Sequence, residues 1–108
     1  MKAYKVYDEY NHEGYQDVVF ATTANEAKKK AFISANSCQN AEWIDIRVNR
    51  VPYLDGLEKR THEEIMYVAI LNGWWYEFED VRYDEENIGE AIKKGAVVPY
   101  KTIGDDSD

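Results

Sequence analysis

Seven carboxylates crowd into one stretch of this chain: Glu77, Glu79, Asp80, Asp84, Glu85, Glu86 and Glu90. Side chains of this type can do acid/base chemistry, ligate a hard cation or attract a basic partner. Acid/base work needs one acid held in an apolar pocket so that the two pKa values separate. Glu77 and Glu79, two residues apart in an alternating segment, would instead share a wet face. Calcium ligation needs an Asp-x-Asp-x-Asp-Gly spacing, which neither Asp84-Glu85-Glu86 nor Asp105-Asp106 has. His62-Glu63-Glu64-Ile65-Met66 fails the HExxH zinc pattern because Met66 stands where the second histidine must be. His12 sits alone in a polar loop, and Cys38, beside Ser37, Gln39 and Asn40, has no neighbouring base to activate it. There is no G-x-S-x-G elbow and no phosphate-binding glycine loop. The expectation is therefore no enzyme, no resident metal and no cofactor. The carboxylates are either a solvated face or a cation-seeking one.

Charge distribution favours neither reading alone but locates the question. The net charge is −8, and residues 1–54 are balanced at seven basic against seven acidic side chains. Residues 55–108 carry fourteen acidic and six basic ones. Such a surface repels nucleic acid directly and suits a partner with a basic groove. Just ahead of the acidic run, Gly73-Trp74-Trp75 sets two indoles side by side; in a strand they would face opposite ways, one to the core and one outward.

With 108 residues, one domain is expected, over 1–104, with a frayed acidic tail at 105–108. One cysteine excludes an intramolecular disulfide and a four-cysteine zinc site. The first residues show no apolar run of a signal peptide, and no window is apolar enough to cross a bilayer. A cytoplasmic setting without membrane contact is expected, and a homodimer is compatible with all of this.

The elements that must position these residues follow from pattern. Lys2–Tyr7 and Asp17–Ala21 read as paired strands, joined through a polar stretch that contains Gly14. Thr23 and Glu26 form a capping box for a helix with Ala24, Ala27, Ala31 and Ala35, and Phe32 and Cys38 nearby, as its apolar stripe. Trp43–Arg50 alternates, with Ile44, Ile46 and Val48 on one face, and Arg47 is expected to pair with an acid across the sheet. Pro52 and Asp55-Gly56 mark a turn. Thr61 and Glu64 cap a second helix that stops at Asn72-Gly73. Trp74–Glu79 reads as a strand, Asp84–Gly95 as a short third helix with acids early and lysines late, and Ala96–Tyr100 as an edge strand. The order β-β-α-β-α-β-α, with an added edge strand, makes an α+β fold with a small antiparallel or mixed sheet.

Four of these features together resemble a known group. The short β-hairpin, the Thr23-Ala24-Asn25-Glu26-Ala27 helix start, the strand Ile44-Asp45-Ile46-Arg47-Val48 running into Arg50-Val51-Pro52, and Asn72-Gly73-Trp74-Trp75 at the end of a helix are similar to small accessory proteins encoded by phages and prophages of Gram-positive bacteria. Some proteins of that kind carry a cysteine pair after the Gly-Trp-Trp, where this chain has Tyr76-Glu77-Phe78-Glu79-Asp80-Val81. The resemblance implies an inhibitor of CRISPR or restriction machinery in a bacterial host cell, acting as a DNA mimic. Its partner would be a nucleic-acid-binding protein with a basic groove, such as a Cas effector, met by Glu77, Glu79, Asp80, Asp84, Glu85, Glu86 and Glu90 with Trp74 or Trp75 as anchor. A different class stays open: a small-molecule or nucleotide-signal binder with a pocket around Tyr53, Trp74, Trp75 and Tyr76. A virion assembly protein is a third reading.

Overall fold

The structure, a computed structural model, describes residues 1–10 and 15–100. The loop holding His12 and Gly14 and the acidic end at 105–108 lie outside the described residues. The chain has an α+β fold and divides into two compact units, Met1–Glu58 and Lys59–Asp108.

In the first unit, β1 (Lys2–Asp8) lies between β2 (Asp17–Ala21) and β3 (Ile46–Arg50), antiparallel to both. Tyr4 is opposite Val19 and Arg50, and Val6 is opposite Asp17 and Val48. Because paired residues share a face, Tyr4, Val6, Val19, Ala21, Ile46 and Val48 make one apolar surface. The helix α1 (Ala24–Ser34) packs there through Ala27 and Ala31, four residues apart and fully buried. Alanines let the helix approach the sheet closely, and Cys38 closes the end of the same cluster.

Two local details depart from the sequence expectation. The Thr23 hydroxyl does accept from the Glu26 amide at 3.2 Å, but the Glu26 carboxylate accepts from the Thr22 hydroxyl at 2.8 Å, so the reciprocal bond falls one residue early. The expected strand from Trp43 begins only at Ile46, because Trp43–Asp45 is a 3-10 turn. Asp45 N–H donates back to the Glu42 carbonyl at 2.9 Å, and the Arg47 guanidinium donates to the Ile44 carbonyl at 2.8 Å. Those bonds outcompete a ladder, and Ile44 is left exposed rather than facing the core with Ile46 and Val48. Arg47 also pairs with Glu9, an acid just beyond β1, as expected of it.

The unit is closed by Asp55. Its carboxylate accepts from the Ala3 amide at 2.7 Å and takes both nitrogens of Arg50, at 2.6 and 2.8 Å. Pro52–Leu54 forms a 3-10 turn that buries Leu54 completely, and Gly56, at φ +82°, donates to the Met1 carbonyl at 3.0 Å.

In the second unit, α2 (His62–Leu71) opens on the complete expected capping box: Glu64 N–H to Thr61 hydroxyl at 3.2 Å and Thr61 N–H to Glu64 carboxylate at 3.2 Å. It buries Ile65, Met66, Val68, Ala69 and Ile70. Gly73 at φ +96° turns the chain out of the helix, and Trp74 N–H returns to the Ala69 carbonyl at 3.1 Å, closing the C-terminus. A hairpin follows, β4 (Tyr76–Phe78) with β5 (Val81–Tyr83), then α3 (Ile88–Lys94) ending at Gly95 in the left-handed region. The strand β5 was not expected, and the third helix starts four residues later than the sequence pattern placed it. Ala96–Tyr100 is not a strand: Ala96 and Val97 are buried, and Val98 N–H donates to the Glu63 carbonyl at 3.2 Å.

Candidate functional site

The acidic run is built on the β4–β5 hairpin and the turn behind it. Glu79 and Asp80 are the two central residues of that hairpin, at φ 51° and 65°. Two-residue connections match strand twist as type I′ or II′ turns, and the I′ form, with both residues at positive φ, is the one in which Asn-Gly is favoured. Here two acids hold that conformation, at a cost of about 1 kcal/mol each. The strand pattern through Glu79 therefore ends at Phe78, and Glu77 and Glu79 do not share a strand face.

Glu77 lies directly across the hairpin from Arg82. The Arg82 guanidinium carbon is 4.0 Å from the centroid of the Trp75 ring. A basic side chain thus lies on the same hairpin as the acids, against Trp75, which is half-buried. Trp74 is buried and belongs to the core rather than to any exposed anchor. The expectation that adjacent indoles split between core and surface holds in direction, although both precede the strand. Tyr76 is half-buried, packs against His62 at 5.5 Å and lies near Phe78 at 6.4 Å. Burial raises its phenol pKa, and the charge of Glu63 adds to the effect.

Residues 84–87 form a knot that precedes α3. Asp84 N–H donates to Asn87 Oδ1 at 2.7 Å, Glu86 N–H donates to Asp84 Oδ1 at 2.9 Å, and Asn87 Nδ2 donates to the Arg82 carbonyl at 3.2 Å. Asp84 is half-buried and its carboxylate works inside the fold; it is a positioning residue, contrary to its expected place among the outward-facing acids. Its use fixes Glu85 and Glu86 outward, both exposed. Glu90 is exposed in the first turn of α3, with Lys93 and Lys94 in the last, the polarity that suits the helix dipole. Among the described residues no ion pair engages Glu79, Asp80, Glu85, Glu86 or Glu90.

What the arrangement can do follows from what it holds. Five exposed, uncompensated carboxylates on one hairpin, one turn and one helix start form a multivalent acceptor for Lys and Arg. Among the described residues no three His, Cys, Asp or Glu converge as metal ligands, and no helix is long and apolar enough to cross a membrane. The indole Trp43 and its neighbours Phe32 and Ile44, in the first unit, form an exposed apolar group that sequence reasoning put partly in the core. The signal was present in the i, i+4 spacing of Lys28 and Phe32, one helix face away from the alanines. Compared with models of protein families, with characterised proteins and with solved structures, the chain matches none.

Proposed function

We propose that the chain is a non-catalytic interaction protein that inserts the acidic surface of its second unit into the basic groove of a nucleic-acid-binding protein. The target class is a host defence nuclease of CRISPR or restriction type, met as a DNA mimic. The observation that carries this reading is the turn at Glu79-Asp80. Two exposed acids occupy left-handed positions that Asn-Gly would fill at lower cost, and among the described residues neither is in an ion pair. Sequences break a local rule of this kind where function compensates for the lost stability. The working carboxylates are Glu79, Asp80, Glu85, Glu86 and Glu90; Asp84 and Asn87 hold them, and Trp75 with Arg82 forms the flank.

The test is capture from a Gram-positive host lysate followed by competition. Wild type is expected to retain a nucleic-acid-binding protein that duplex DNA displaces, with retention falling as ionic strength rises from about 0.05 M to about 0.3 M. A variant carrying Glu79→Gln, Asp80→Asn, Glu85→Gln and Glu86→Gln should retain little of it. Equal capture by both forms, or a captured protein that DNA does not displace, would sink the mimicry reading.

A further inference from the structure

In the first unit, Phe32 and Trp43 meet edge to face with ring centroids 5.7 Å apart. They are not a core pair. Phe32 is 50% exposed, Trp43 37%, Ile44 70% and Ile33, the next residue along α1, 82%. Large apolar side chains grouped this way mark a contact surface more often than a solvated one. The charges around them are ordered. Lys28 stands over the Trp43 ring at 4.8 Å, and Lys29 follows it on the helix side. Glu42 and Asp45 bracket Trp43-Ile44 on the loop side. Among the described residues none of these four charged groups is in an ion pair.

We propose that this patch is a self-complementary interface through which two copies of the chain pair about a two-fold axis. A two-fold contact requires that whatever residue i meets in the partner also meets residue i. In the proposed pair, Lys28 and Lys29 of each copy meet Glu42 and Asp45 of the other, which satisfies both charge sets twice. Other occupants fit less well. A nucleic acid would be repelled by Glu42 and Asp45. An acidic or a basic peptide would satisfy half of the rim and oppose the other half.

Net charge points the same way. Residues 1–58 hold nine acidic and seven basic side chains, whereas 59–108 hold twelve and six. Pairing through the first unit brings together the nearly neutral portions of two chains. Four apolar side chains with four charged neighbours are fewer than the roughly 20–30 residues a side of a tight interface. Pairing is therefore expected in the micromolar range and to depend on protein concentration. This inference shares no residue with the acidic surface of the second unit, so either can fail alone.

Sedimentation velocity on the full chain, from about 5 µM to about 500 µM, tests it. The expected result is a monomer that converts to a dimer across that range. Ile33→Asp and Ile44→Asp alter exposed side chains outside the core, and each should weaken pairing at least tenfold with an unchanged circular dichroism spectrum. The charge pattern is tested by two double variants, Lys28→Glu with Lys29→Glu, and Glu42→Lys with Asp45→Lys. Each alone should stay monomeric, and an equimolar mixture should form a heterodimer. A wild-type monomer at the highest concentration, a dimer indifferent to Ile33→Asp and Ile44→Asp, or a mixture that stays monomeric would overturn the proposal.

Discussion

Arg82 and Trp75 are stacked, guanidinium carbon to ring centroid at 4.0 Å, on the side of the hairpin where Glu77 faces Arg82 across the strands. This contact places a positive charge inside a surface otherwise rich in carboxylates. It also covers part of an indole that is half-buried. An exposed cation–π contact contributes about 0.5–1 kcal/mol. Arg82→Gln should therefore lower the thermal midpoint by a few degrees and shift Trp fluorescence to longer wavelength as water reaches Trp75. It also removes one positive charge, so retention of a basic partner should rise. A fluorescence spectrum unchanged by the substitution would show that the stack does not persist in solution.

The hairpin tip gives a second prediction, in which stability and binding move in opposite directions. Asp80 sits at φ 65°, where glycine has no Cβ to strain. Asp80→Gly should raise the midpoint of urea unfolding by the equivalent of about 0.5–1 kcal/mol. The same change deletes one of the exposed acids and should reduce partner retention. A variant that loses stability would show that the tip does not hold this turn, and one that gains stability with full retention would remove Asp80 from the binding surface.

What could be read from the sequence was mostly what is decided within a few residues. Both Thr caps and the stop at Asn72-Gly73 depend on side-chain-to-backbone bonds over three or four positions, and they stand where the pattern put them, as do the β2 boundaries. The hairpin is not legible because Glu79 is not a turn residue and Asp80 alone does not signal a turn, although both take left-handed conformations in the fold. Ile44 does not follow its alternation with Ile46 and Val48 because Trp43–Asp45 turns as a 3-10 helix and the Ile44 carbonyl accepts from Arg47 instead. The acidic surface was legible as a composition, but not the division of labour within it: that Asp84 accepts from the Glu86 amide while Glu85 points out is a matter of where Asn87 lands.

The Asp55–Arg50 pair gives a pH dependence with a definite sign. The Arg50 guanidinium and the Ala3 amide hold the Asp55 carboxyl at about 2, below its ordinary value of 3.8. A carboxyl depressed in the folded state binds its proton less readily there than in the unfolded chain. Its stabilisation is thus fully present above pH 3.8 and disappears as pH falls through about 2. Because the pair is about a third exposed, the contribution is modest, on the order of 1 kcal/mol. Urea midpoints measured between those limits should fall more steeply for wild type than for Asp55→Asn, which should be less stable at neutral pH. Parallel curves would mean that the pair contributes nothing measurable.

Ala31 is fully buried where α1 meets the sheet beside Val6, Cys38 and Ile46. A larger side chain there has no space without moving the helix, so Ala31→Leu should cost about 1–3 kcal/mol. Cys38 reports on the same cluster. Burial pushes its thiol pKa up, and the Ser37 hydroxyl contact at 3.8 Å opposes that only partly. The neutral, covered thiol should react with an aromatic disulfide reagent at pH 8 far more slowly than in urea, at a rate set by opening of the first unit. Ala31→Leu should accelerate that reaction, whereas Ile33→Asp, on the exposed side of the same helix, should leave it unchanged. Equal acceleration by both would mean that the exposed side of α1 is coupled to the core, and a fast wild-type reaction would mean that Cys38 is not covered in solution.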